Sequence, residues 1–177
     1  MTNPEANVEE LSRELPDAGE ARRFWRRVAA EQPRAARKLA ADRGLLSDAL
    51  SLAAWSPLLA ATLAQEHEYL TWLARERADP HVRTVEELRE SLARFALTHT
   101  REEPAALLAR FRRRELLRVY LRDIRAASTV VETTEELSNL ADAILSYALD
   151  LARQSSGCAC ARVGGHAKSA VQMTAQK

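Results

Sequence analysis

A chain of 177 residues that is 46% hydrophobic is long enough to close a domain around its own core, which excludes disorder throughout. Twenty-six Lys and Arg against twenty-five Asp and Glu leave a formal charge of +1, so no global field draws the chain to nucleic acid or to an anionic membrane. Ala, Leu, Arg and Glu dominate and only two Cys are present, a composition that favours helix and excludes a disulfide framework.

Residues 1–18 include Pro4 and Pro16 and show no sustained period, so they are predicted to form a flexible N-terminal arm or at most a marginal helix. Glu5, Glu9, Glu10 and Glu14 stand where a secretory signal needs basic residues. The longest apolar stretches, such as Leu58 to Leu63, fall short of the roughly 20 residues that cross a bilayer. A cytoplasmic protein without a membrane partner is expected.

Phe24, Trp25 and Val28 lie at helical spacing before Pro33, whose ring opposes continuation. Leu39 belongs to a short second helix, with Gly44 placed to end it. Leu45, Leu46, Ala49, Leu50 and Ala53 form the next apolar face, and Ser56-Pro57 opens a helix predicted to run to Arg77. Thr84 and Glu87 have capping-box spacing ahead of Leu88, Leu92 and Phe95. After the Thr100–Pro104 junction comes a long helix in which Leu107, Phe111, Leu117, Leu121 and Ile124 recur at three and four. Thr133 and Glu136 suggest a second capping box, followed by a broad apolar face from Leu137 to Leu151 and an end near Gln154. From Ser155 the composition turns to Ser, Gly and Cys, predicting a disordered C-terminal tail over 155–177. The expected fold is all-α: an irregular helical bundle of six to seven helices over 19–154, with no internal repeat.

The densest chemical feature is the run from Arg110 to Arg125, which holds seven arginines against Glu115 and Asp123. Arg112, Arg113, Arg114, Arg118 and Arg122 are the candidate contacts for a phosphate or an acidic partner, because guanidinium forks match such oxygens bidentately. The competing reading is a helix face whose arginines pair with glutamates of neighbouring helices, and composition favours it. Nucleic acid is not expected, since neither aromatic stackers nor a wider basic surface accompany the run.

His67, His81 and His99 are scattered without a ligand-like spacing, and Trp25, Trp55 and Trp72 are predicted core anchors. Asp142 is placed to bond in the interior with an arginine of the preceding helix. Cys158, Cys160 and His166 supply three soft ligands at most, fewer than a structural zinc takes, so incidental thiols are expected. Gly164-Gly165 lacks phosphate-loop spacing. With no Asp-x-Asp in the sequence, neither a metal site nor a catalytic residue is predicted.

The run Phe111-Arg112-Arg113-Arg114-Glu115-Leu116-Leu117, with Glu136-Leu137-Ser138-Asn139-Leu140-Ala141-Asp142-Ala143 behind it, resembles the bifunctional glutamine synthetase adenylyltransferase and adenylyl-removing enzyme family. The resemblance extends over residues 20–154, Trp55-Ser56-Pro57-Leu58-Leu59 included. It implies the helical N-terminal region of an enzyme that adds AMP to, and removes it from, a tyrosine of glutamine synthetase. It further implies ATP and Mg²⁺ as cofactors, glutamine synthetase and a small nitrogen-signalling protein as partners, and a role in nitrogen regulation. In the family these helices precede a nucleotidyltransferase domain carrying Asp-x-Asp. The stretch from Ser155 does not match that pattern, so no catalytic residue carries over and the chain is expected to be inactive alone, as a truncated or frame-shifted reading of a longer gene would be. The alternative is a stand-alone helical protein-interaction module that uses the Arg110–Arg125 face.

Overall fold

The computed structural model describes residues 4–170, except for the side chains of His67 and of residues 155–170. Helices account for the regular structure of the described residues: α1 (Pro4–Ser12), α2 (Ala18–Glu31), α3 (Pro33–Ala41), α4 (Arg43–Trp55), α5 (Pro57–Gln65), α6 (His67–Glu76), α7 (Val85–Thr98), α8 (Pro104–Ile124) and α9 (Val130–Ala170). The all-α fold class stands. The helices outnumber the six or seven expected because the N-terminal segment is helical and one predicted helix is two.

Residues Pro4–Ser12 are not a flexible arm. Pro4 sits at the start of α1, where its missing N–H costs no hydrogen bond, and Val8 is buried in the core beside Phe24 and Trp25. The Trp25 indole N–H donates to Glu5 at 2.7 Å, and Arg43 reaches Glu10 at 2.8 Å. The stretch predicted as one helix from Pro57 to Arg77 breaks at Glu66, which takes an extended conformation. Two groups stabilise the break: Gln32 Nε2 donates to the carbonyl of Ala64, and the Glu66 carboxylate holds Arg110 at 2.9 Å.

Gly44 does not terminate α3. Asp42 closes that helix and caps α4, accepting the Leu45 N–H at 2.9 Å, which puts Gly44 inside α4. A β-carbon on Gly44 would meet the Arg77 guanidinium at 2.8 Å, so a larger residue there would require that side chain to shift. The Thr84–Glu87 capping box is present. The second box is shifted: Thr129 and Glu132 exchange backbone and side-chain bonds at 2.7 and 3.2 Å, so Glu136 is free of capping. The backbone of α9 continues past Gln154 to Ala170. The helix therefore runs into the stretch where a disordered tail was expected; the side chains of 155–170, with Cys158, Cys160 and His166, and all of 171–177 lie outside the described residues.

Two hydrophobic cores result. The larger is built from α1 to α6 together with Leu117 and Leu121 of α8. The smaller joins Leu88, Leu92 and Phe95 of α7, Leu107 and Phe111 of α8, and Leu140 and Ala143 of α9. Helix α8 contributes to both. It ends in a Schellman motif, in which the Ala127 N–H bonds the Arg122 carbonyl and the Ala126 N–H that of Asp123, with Ala126 at φ 50°. This turn folds α9 back along α8.

Candidate functional site

The face that α8 shows its neighbours follows from its period. Phe111, Glu115, Arg118 and Arg122 fall at i, i+4, i+7 and i+11, one side of a 3.6-residue helix, and all four are buried. Where the two cores meet, therefore, the helix presents charge instead of apolar surface, and burial of charge is tolerated only with partners.

The partners come from three other segments. Glu136, at the register of Leu140 and Ala143 on α9, is fully buried and receives both Arg118 and Arg122. Its Oε1 also accepts the Arg83 backbone N–H at 3.2 Å. Glu115 is held by Arg83 at 2.9 Å and by Arg114 at 2.7 Å, and Arg83 also pairs with Glu76 of α6. Arg118 donates to the His81 carbonyl at 3.0 Å and Asn139 to that of Arg83 at 2.9 Å, fixing the segment between α6 and α7 against α8 and α9. Nearer the C-terminal end of α8, Asp48 of α4 receives Arg77 at 2.9 Å and also Arg125.

Four arginines share three carboxylates in the central cluster, and the Nε hydrogens of Arg118 and Arg122 find no acceptor. Burial first, and then the neighbouring Arg83 cation, push the Arg118 pKa down to about 10, which still leaves it a cation at neutral pH. Arg114 lies over the rings of Trp72, Phe95 and Phe111, at 4.8, 4.6 and 5.0 Å from their centroids. These contacts replace part of the water that the guanidinium loses.

The five candidate arginines therefore separate. Arg114, Arg118 and Arg122 are consumed by internal pairs and do not form an exposed contact face. Arg112 and Arg113 stay exposed, and no carboxylate pairs with either among the described residues. They border a groove of about 510 Å³ between α8 and the α4–α5 corner, lined by Trp55, Leu58, Leu116, Tyr120 and Ile124. Trp25 and Trp72 are core residues as expected, but Trp55 is 59% exposed, because Ser56 ends α4 there and turns the indole outward. Asp142 is also exposed. Glu136 takes the buried role expected of it.

A second cleft, of about 550 Å³, opens beside Arg114 between α6 and α7. Its carboxylates are already engaged: Glu76 by Arg83, Glu87 by His81 and the Thr84 N–H, and Glu90 by Arg94. The backbone N–H of Thr84, followed by the imidazole of His81, holds the Glu87 carboxyl below its ordinary pKa. Among the described residues no three His, Cys, Asp or Glu side chains are grouped so as to hold a metal ion. No helix there is long and apolar enough to cross a membrane.

Glu115, Arg83 and Asp48 were not singled out in the sequence, and Glu136 was assigned to a capping box rather than to the interior. The available signal was register: Arg118 stands seven residues after Phe111, and Glu136 four and seven residues before Leu140 and Ala143.

No curated protein and no solved structure matches the chain. The profile of the glutamate–ammonia ligase adenylyltransferase family matches residues 46–176, starting later than the resemblance read from the sequence and continuing through the stretch after Ser155 that had been set outside it. The match takes in the whole of α5 to α9, both clusters of buried charge and the groove beside Arg112, and on this extent the chain belongs to the glutamate–ammonia ligase adenylyltransferase family.

Proposed function

We propose that this chain is a helical scaffold and docking unit of the system that adenylylates glutamate–ammonia ligase, that is, glutamine synthetase, and that it carries no AMP transfer of its own. The observation that supports the reading is the fate of the charged side chains within the family match. The arginines and glutamates that meet at α8 and α9 pair with one another and tie two cores together, which is a structural role.

The Mg²⁺ and ATP that the family's reaction uses are not fitted by these residues. A two-metal phosphoryl site needs carboxylates open to the ion, whereas Glu76, Glu115 and Glu136 face arginines. Glutamine synthetase and a small nitrogen-signalling protein are the partners proposed, and the cytoplasm is the proposed location.

Incubating the purified chain with radiolabelled ATP, Mg²⁺ and glutamine synthetase is expected to give no label on the synthetase, while the chain retains the synthetase in sedimentation. Label transfer by the chain alone would overturn the scaffold reading. Absence of both transfer and binding would leave the alternative, a stand-alone interaction module with another partner.

A further inference from the structure

The groove beside Arg112 is built by a regular stripe. Arg112, Leu116, Tyr120 and Ile124 recur every four residues along one side of α8, and Trp55 and Leu58 project from the opposite wall, 59% and 67% exposed. Twelve residues of helix make the groove about 18 Å long, the length of three turns of a partner helix. Its ends differ in charge. Arg112 and Arg113 stand at one end without carboxylate partners among the described residues, and Asp123 is exposed at the other.

We infer that this groove binds an amphipathic helix of a partner protein, acidic at its C-terminal end and basic at its N-terminal end, running antiparallel to α8. The apolar floor takes side chains at i, i+3, i+4 and i+7, the pattern by which grooves receive helices. Trp and Arg are the residue types that dominate such interfaces. In the antiparallel direction the occupant's N-terminus, with its partial positive charge, meets Asp123, and its acidic C-terminal turn meets Arg112 and Arg113. The inference deepens the docking role proposed above by giving the partner segment its chemistry, but it needs neither ATP nor glutamine synthetase to be tested.

Two fluorescein-labelled 15-residue peptides of identical composition serve as probes. They share one Leu stripe, and Lys and Glu exchange ends between them. With the full chain, fluorescence anisotropy is expected to show saturable binding of the peptide with C-terminal Glu, about tenfold or more tighter than its reversed counterpart. Arg112→Glu with Arg113→Glu should reverse the preference, and Leu58→Glu should abolish binding of both, each with an unchanged circular dichroism spectrum. Equal binding of the two peptides, no saturable binding of either, or a preference unmoved by the arginine reversals would overturn the inference. Sedimentation of the chain as a dimer that Leu58→Glu dissociates would also overturn it, by assigning the groove to a second copy.

Discussion

Arg118 of α8 and Glu136 of α9 form an ion pair in which each side chain is 1% exposed. The pair lies between two apolar clusters that share only α8, and Arg122 completes it from the same helix. An ion pair in this position is a constraint more than a source of stability, because the desolvation of both groups offsets much of their attraction. Its removal in halves is another matter.

Glu136→Leu is expected to destabilise the chain by about 3–5 kcal/mol, since it leaves two buried guanidiniums without their acceptor. The triple variant Arg118→Met, Arg122→Met, Glu136→Leu should lose clearly less than the sum of the three single losses. Urea denaturation followed by circular dichroism measures both. Equal and additive losses would mean that the charges are hydrated rather than buried.

The turn between α8 and α9 places Ala126 at φ 50°, the left-handed position at C′ where helices usually carry glycine. Ala126→Gly should raise stability by about 0.5–1 kcal/mol, the cost of the β-carbon there exceeding the extra freedom glycine gives the unfolded chain. A fall in the denaturation midpoint would contradict the Schellman geometry.

The capping boxes give a pH dependence. Glu132 and Glu87 have carboxyl pKa values below the ordinary one, in each case chiefly through a backbone N–H, that of Thr129 and that of Thr84. A depressed folded pKa means that the unfolded state binds more protons, so this stabilisation is complete above the unfolded value, roughly 4.3. It is lost as pH falls through the lowered folded values. Glu132→Gln and Glu87→Gln should therefore each flatten the acid limb of the stability–pH curve, and Glu132→Gln, which has no histidine partner among the described residues, should leave its slope near pH 7 unchanged.

Trp55 is the tryptophan on the surface, and Trp25 and Trp72 are at 4% and 8% exposure. Iodide should quench about one third of the emission or more in the native chain, and Trp55→Phe should remove that accessible fraction. If the quenchable fraction survives the substitution, the α4–α5 corner is not turned outward as described.

Much of the helical order was legible, because its punctuation is local. Pro33, Pro57 and Pro104 begin helices, and Thr84 with Glu87 caps one. The break at Glu66 was not, because its support comes from Gln32 and Arg110, far away in sequence. Thr129 and Thr133 both had a glutamate three residues on, and the choice between them was decided by the buried arginines, which take Glu136. The same distance effect hid the character of α8. A count of arginines says that a helix is basic, but not which side is solvated. Arg112 and Arg118 differ by six residues, which puts them on different sides, and only the period shared with Phe111 separates them.

The division of the α8 arginines is tested most directly by comparing the unfolding of Arg118→Ala with that of Arg112→Ala/Arg113→Ala in urea. The first should lose about 3 kcal/mol or more, through the loss of one of the two guanidiniums on buried Glu136 and of the bond to the His81 carbonyl, and the second should stay within about 0.5 kcal/mol of the parent. Matching losses, or a larger loss for the Arg112 and Arg113 variant, would contradict the assignment of an inward structural set and an outward docking pair.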